Sequence, residues 1–313
     1  MRLISIVTAC YNEEENVTAV YSQVKAVMAQ EADYRYEHIF IDNDSTDKTV
    51  NILREIARID PNIKIIINAR NFGHIRSPFH ALLQAEGEAA IMLASDLQDP
   101  PALITEFLRQ WEAGYKIVVG VKPASREAFP MALVRRTYYH LISKISDTRL
   151  IKNFTGFGLY DAQVIKVLRN IGDSYPYFRG LISEIGFKVA EVPFVQPLRL
   201  RGKSSNNFYS LYDMALLGIT THSKLPIRLA TMGGFFLSLT SLVTAMVFLF
   251  LKLFWWNSFP MGVAPILIGM FFLGSVQLFF IGILGEYVLS IHTQTLKRPL
   301  VVERERINFS TDG

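Results

Sequence analysis

Ala89-Ala90-Ile91-Met92-Leu93-Ala94-Ser95-Asp96-Leu97-Gln98-Asp99-Pro100-Pro101 is the stretch on which the fold turns. The apolar run Ala89–Leu93 is too short for a helix and breaks into acid, amide and proline residues, so it reads as a buried strand stopping at a polar loop. Working outward, Leu3-Ile4-Ser5-Ile6-Val7-Thr8, His38-Ile39-Phe40-Ile41, Ile63 to Asn68 and Ile117-Val118-Val119-Gly120 give further strands. Asn16 to Met28 and Thr46 to Ile59 carry helical spacing between them. Strands alternating with helices imply an α/β domain with a parallel sheet covered on both faces, and such sheets bind ligands at the carboxyl ends of their strands. Three of those ends are polar: Tyr11-Asn12-Glu13-Glu14-Glu15-Asn16, Asp42-Asn43-Asp44-Ser45-Thr46-Asp47 and Asp96-Leu97-Gln98-Asp99. They converge on one acidic crevice.

The residue types suggest its chemistry. If the chain stays extended past the strand, Asp96 and Gln98 point the same way and offer two oxygens to a hard cation such as Mg²⁺ or Mn²⁺, which keeps positions open for a diphosphate. Asp99 precedes two prolines and is expected to cap the following helix. Asp42 and Asp44 suit hydrogen bonds from a nucleoside's base or ribose hydroxyls, or a turn before a helix capped by Ser45 or Thr46. Arg199-Leu200-Arg201-Gly202-Lys203-Ser204-Ser205 groups three cations around a glycine, a pattern suited to clamping phosphate, or to lying on a membrane surface. The basic, aromatic segment from Lys122 to Asp147, with Arg126, Arg135 and Arg136, reads as an amphipathic helix at a membrane surface or as a solvated face.

The 313 residues are 50% hydrophobic, and the excess is local. Met232–Phe250 and Val263–Gly285 contain no charge, and each is long enough to cross about 30 Å of hydrocarbon. Trp255 and Trp256 stand where an interfacial belt would lie. The linker 257–262 has no Lys or Arg, whereas Lys224, Arg228, Lys297, Arg298, Arg304 and Arg306 flank the pair, which places both termini on the cytoplasmic side. Cys10 is the single cysteine, so no intramolecular disulfide forms. A net charge of +4 without a recognition module argues against nucleic acid as a partner. There is no GxxxxGK[ST] or early GxGxxG, and the six histidines lack HExxH spacing. Gly233, Gly234, Gly269 and Gly274 permit close helix packing and hence a homo-oligomer.

Val7-Thr8-Ala9-Cys10-Tyr11-Asn12-Glu13-Glu14, Ile41-Asp42-Asn43-Asp44-Ser45-Thr46-Asp47-Lys48-Thr49, Asn71-Phe72-Gly73 and Ser95-Asp96-Leu97-Gln98-Asp99-Pro100 resemble the successive signatures of family 2 inverting glycosyltransferases. The resemblance is to the polyprenyl-phosphate branch, similar to dolichol-phosphate mannose synthase. With the two spans and Gly285-Glu286-Tyr287 to Lys297-Arg298-Pro299-Leu300, it is closest to the bacterial bactoprenol glucosyl transferases. It implies a GT-A fold and transfer of a sugar, glucose from UDP-glucose, to undecaprenyl phosphate. By position it implies that Tyr11, Glu13 and Asp42 contact the nucleoside, with Asp44 joining them as a neighbouring carboxylate, and that Asp96 and Gln98 meet the metal and diphosphate. Arg199 and Ser204 match the family's phosphate clamp, and with the nearby cations Arg201 and Lys203 and with Arg126 would hold phosphate groups, Asp96 and Arg199 acting in catalysis. The expected domains are a cytoplasmic catalytic domain with juxtamembrane helices (1–225), a transmembrane pair (226–290) and a cytoplasmic tail (291–313), in a multi-pass protein of the inner (plasma) membrane. Departures are Ala94 at the usual first aspartate of Asp-x-Asp, Asn43-Asp44 for Asp-Gly, and Ser205 for a lysine. Asn153–Asp161 is similar to a segment near the acceptor, without the aspartate and arginine often found there. Rival readings are the same fold with GDP-mannose, UDP-N-acetylglucosamine or a UDP-amino-pentose, and a catalytically silent membrane scaffold.

Overall fold

Four β-rich runs, each followed by a polar loop, become the centre of one sheet. They are β1 (Arg2–Cys10), β2 (Tyr34–Asp42), β3 (Ile63–Asn68) and β4 (Ala89–Ala94), parallel to one another in the order β4-β1-β2-β3. The computed structural model describes residues 1–122, 151, 153–197, 225–254 and 263–309. Arg126, Arg199, Arg201, Lys203, Ser204, the basic segment beyond Lys122, Trp255 and Trp256 lie outside the described residues.

Alternation along the strands divides the core in two. Ile4, Ile6, Phe40, Ile63, Ile65 and Ile67 face one layer, made by α1 (Val17–Met28), α2 (Thr49–Ile59) and α4 (Leu103–Glu112). Val7, Ile39, Ile41 and Ile66 face the other, made by α3 (Gly73–Leu83), α5 (Ala162–Ile171) and α6 (Phe178–Glu184). The helices bury a single stripe each. In α4 it is Ile104, Phe107, Leu108 and Trp111, the i, i+3, i+4, i+7 pattern of one face. α5 is bounded by its chemistry: Asp161 accepts a bond from the Gln163 N–H at its start, and Gly172 leaves it in the left-handed region at φ 62°.

The sheet is mixed, and the parallel pairing expected from the strand–helix alternation holds for β1 to β4. β6 (Phe154–Asp161) lies between β4 and β5 (Ile117–Val121), antiparallel to both, with β7 (Val189–Pro193) parallel to β5 at the edge. The strand–helix alternation that implied parallel pairing ends at β5. Asn153–Asp161 is this strand, and Phe154, Phe157, Leu159 and Tyr160 are core residues. Gly158 is required there, because a Cβ on it would sit 2.4 Å from the Val118 carbonyl oxygen of the neighbouring strand.

α7 (Leu225–Phe254) and α8 (Val263–Thr295) are 30 and 33 residues long. Both are long and apolar enough to cross a membrane, and the most apolar windows, Pro226–Thr244 and Phe272–Thr295, bury nothing inside the protein. After α8 the chain returns to the sheet. β8 (Glu303–Ile307) pairs antiparallel with β3, with Ile65 opposite Ile307 and Ile67 opposite Glu305. Arg54 of α2 pairs with Glu305, His80 of α3 meets Glu303 at 2.5 Å, and the Asn308 amide donates to the carbonyls of Ala57 and Ile63, each at 2.9 Å. A strand was not expected in 291–313. Glu-Arg-Glu-Arg has no apolar face to announce one, and it is held instead by ion pairs and ladder bonds.

Candidate active site

Because β4, β1 and β2 are adjacent and in register, Ala94 beside Ala9 and Cys10 beside Asp42, their three polar loops leave the sheet at one level. The convergence expected from sequence is therefore built by the pairing. The first two loops are stitched together. The Asn12 N–H donates to Ser45 Oγ at 2.9 Å, and Asn12 Oδ1 accepts from the Thr46 N–H at 2.8 Å. The Glu13 N–H donates to Thr49 Oγ1, while Glu14 and Asp47 exchange bonds through the backbone N–H groups of Lys48 and Glu14. Neither Ser45 nor Thr46 caps α2. Asp47 serves its first turn, accepting from the Thr49 N–H at 2.9 Å.

Within this frame the acidic residues take different positions. Asp42 is fully buried, and its two oxygens accept from the Ser45 hydroxyl at 2.5 Å and the Ser45 N–H at 2.9 Å. Burial raises its carboxyl above the ordinary value against those bonds. Glu13 is also buried, accepting from the Asn16 amide at 2.5 Å. Tyr11, 44% exposed, and the half-buried Asp44 are the groups that face solvent. Asp44 has φ 66°, in the left-handed region where glycine is free and aspartate is tolerated, which accounts for the exchange at that position. A cation from the tail meets it: Arg304 Nη1 lies 3.3 Å from Asp44 Oδ1. Sequence reading missed that contact, since 260 residues separate the partners.

The loop after β4 turns rather than extends. Leu97 has φ 59°, and Asp96 Oδ1 accepts from the Gln98 N–H at 3.1 Å, so Asp96 and Gln98 are neighbours through a two-residue turn and not through strand alternation. Asp99 does not cap α4. Its Oδ2 accepts from the Ala94 N–H at 3.0 Å and closes the loop onto the end of its own strand. Burial pushes the Asp99 carboxyl up to about 6, with the Ala94 bond and Lys122 pulling it down and Asp96 adding to the rise. Position 94 thus contributes its backbone to the loop. Cys10, behind the crevice, is buried, and burial followed by the charges of Asp42 and Glu13 raises its thiol well above the usual range, so it is inert there.

The donors present suit a hard dication. Asp96, Gln98 and Asp99 offer oxygen alone, and among the described residues no cluster of three or more His, Cys, Asp or Glu stands at metal spacing. Mg²⁺ commonly takes one or two carboxylates and fills the rest of its shell with phosphate and water. With Asp99 committed to Ala94, Asp96 is the half-buried carboxylate that fits such a site.

Asn71-Phe72-Gly73 has a local reason. Asn71 Oδ1 accepts from the Gly73 N–H at 2.8 Å and from the Asn43 amide at 2.9 Å, and Asn43 Oδ1 accepts from Asn68 and from the Phe72 N–H. These bonds tie the ends of β2 and β3 to the start of α3.

Glycosyl transferase family 2 matches residues 5–181, the whole of the crevice just described and most of the sheet. The chain belongs to this family. It is therefore a glycosyltransferase with a GT-A type fold and a mixed sheet. It is 34% identical to the uncharacterized glycosyltransferase YkcC of Bacillus subtilis over 95% of this chain and 92% of that one. It is 31% identical to the bactoprenol glucosyl transferase of Shigella phage SfV over 97% of this chain and 99% of that one. Among solved structures, glucosyl-3-phosphoglycerate synthase from Mycobacterium tuberculosis is similar over 70% of this chain and 77% of its own, at 18% identity and a TM-score of 0.47.

Proposed function

We propose that this glycosyltransferase is a membrane protein that moves glucose from UDP-glucose onto undecaprenyl (bactoprenol) phosphate with inversion at the anomeric carbon. The observation that carries the reading is the 31% identity to bactoprenol glucosyl transferase along 97% of the chain, a match that extends beyond the crevice to the two long helices and the tail. The topology supports it. Because β7 and β8 belong to one sheet on either side of α7 and α8, two spans that leave a leaflet and return bring both termini to the same side.

A lipid phosphate has a second pKa near 6, by analogy with phosphate monoesters, and is a dianionic nucleophile at cytoplasmic pH. No general base is then needed. An oxygen of the lipid phosphate attacks the anomeric carbon as the bond to the UDP oxygen breaks on the opposite face, which inverts the centre. A divalent cation, Mg²⁺ or Mn²⁺, held by Asp96 and Gln98 would neutralise charge on the diphosphate. Tyr11 and Asp44, which face solvent, would meet the nucleoside, and Glu13 and Asp42 would shape the loops that present them. Arg199 and Ser204 are assigned to the phosphates by resemblance and Arg126, Arg201 and Lys203 by their charge, with Arg199 offsetting charge on the departing group.

The test is transfer from a panel of labelled UDP- and GDP-sugars to undecaprenyl phosphate by purified protein with Mg²⁺, Mn²⁺ or chelator. Glucose-labelled lipid from UDP-glucose alone, lost with chelator and lowered by about a hundredfold or more in Asp96→Asn, is expected. Transfer of another sugar would reassign the donor, and nucleotide binding without any product would favour a silent scaffold. Retained metal-dependent turnover in Asp96→Asn would remove that residue from the site.

A further inference from the structure

A group of cations lies beside the crevice that the transfer reaction does not use. Between β3 and α3, the Arg70 guanidinium sits 4.0 Å from the centre of the Phe72 ring, and Arg76, one turn into α3, sits 5.4 Å from the same ring. Arg76 Nη2 also donates to the carbonyl of Pro299, which brings the preceding Arg298 to the group from three residues beyond the end of α8. Arg54, Arg109, Arg304 and Arg306 of the sheet domain each have a carboxylate partner. Among the described residues Arg70, Arg76 and Arg298 have none; Arg70 reaches only the Asn71 carbonyl. Arg76 Nε is buried without a partner. Burial, then the charges of Arg70 and Arg298, hold the Arg76 guanidinium below its usual pKa despite an opposing effect of Tyr175.

Arg70 and Arg76 share the Phe72 ring and Arg298 bears on Arg76; without a counter-charge the three oppose one another, and an anion brought among them removes that opposition. Their place says which anion. An extended chain covers about 10 Å in three residues, so Arg298 lies within that distance of the end of α8. If α8 spans the bilayer, the cluster stands at its headgroup level, where arginine heads are favoured beside lipid phosphates.

We propose that Arg70 and Arg76, which share the Phe72 ring, and Arg298 beside them are a landing site for the phosphate headgroups of anionic phospholipids in the leaflet from which α8 emerges, holding the mouth of the crevice against that surface. This rests on the reading of α7 and α8 as membrane spans. Each such cation near an anionic leaflet is worth about a fivefold gain in association, so the three together shift docking by about a hundredfold. The site differs from that assigned to the transferred phosphates and would act on every substrate molecule alike.

The full-length protein should be reconstituted in bilayers of neutral phosphatidylcholine, or of phosphatidylcholine with about one-third phosphatidylglycerol, and its amide hydrogen exchange followed. Residues 70–77 should exchange at least tenfold more slowly in the anionic bilayer, with the difference erased by high salt. The triple variant Arg70→Gln, Arg76→Gln, Arg298→Gln should lose the lipid dependence, and the triple lysine variant should keep it. Equal exchange in both bilayers, or an unaltered response of the glutamine variant, overturns the proposal. So does protection produced by inorganic phosphate in neutral bilayers but not by anionic lipid, which would make this a free-phosphate site. An alkaline wash separates the two readings. Protein stripped from the vesicles sinks the spans and this proposal together, whereas retained protein with indifferent exchange sinks only the proposal.

Discussion

Replacing Asp99 by asparagine should make the protein more stable, by an amount that depends on pH. Its carboxyl is displaced from 3.8 to about 6 by burial at the end of β4. At 1.36 kcal/mol per pH unit, keeping it ionised in the folded state costs about 3 kcal/mol. The sign follows from proton uptake. The folded protein holds this proton more tightly than the unfolded chain does, so the stability associated with Asp99 is greatest below about pH 4 and is lost as pH rises through about 6. About 1.6 kcal/mol of the cost is present near pH 5, and about 3 kcal/mol near pH 8. Asparagine keeps an oxygen to accept the Ala94 N–H and cannot ionise, but its amide N–H groups enter a buried site and offset about 1 kcal/mol. The net gain is about 2 kcal/mol near pH 8 and about 0.5 kcal/mol near pH 5, or about 5 °C and about 1 °C in Tm. Thermal melts of the purified full chain in detergent, wild type beside Asp99→Asn at one scan rate, measure both. An equal shift at the two pH values, or a lower Tm for the variant at pH 8, would falsify the placement of an ionised carboxylate in that loop.

Two further substitutions probe the sheet. Gly158→Ala sets a methyl 2.4 Å from the Val118 carbonyl oxygen, where two paired strands leave no room to retreat. It should lower stability by about 3 kcal/mol or more, and a Tm within about 2 °C of wild type would contradict the β5–β6 register. Asn308→Ala withdraws the donor from the carbonyls of Ala57 and Ile63 and should cost about 1–2 kcal/mol. Faster amide exchange in Ile63–Asn68 is the readout, and unchanged exchange there would mean that Asn308 does not fasten β8.

The central strands were legible because nothing about them is ambiguous. Ile63–Asn68 was read with the bounds it has, and the short runs at His38–Ile41 and Ala89–Leu93 lie inside β2 and β4. A run buried on both faces is apolar throughout and announces itself. β6 was hidden because two glycines interrupt it and because its direction depends on what precedes it, not on its own composition. β8 was hidden because every residue but the last is charged. At the crevice, residue identity indicated which loops meet but not what each acid does. Asp42 and Asp99 spend their oxygens on their own loops, a distinction that depends on φ at Asp44 and Leu97 and on the reach of one N–H group. Neither is written in a spacing.

The position of β8 at the edge of the sheet sets an order of events during synthesis. Arg54 and its partner Glu305 are 251 residues apart, and every residue of α7 and α8 must be made before they can meet. Until then β3 has an open edge, the kind of surface on which nascent chains misassociate. The sheet is completed only after both apolar helices have left the ribosome and must have found their own surroundings. A chain whose two apolar helices fail to settle would carry an unfinished sheet, and so the fold ties completion of the sheet to the placement of those helices.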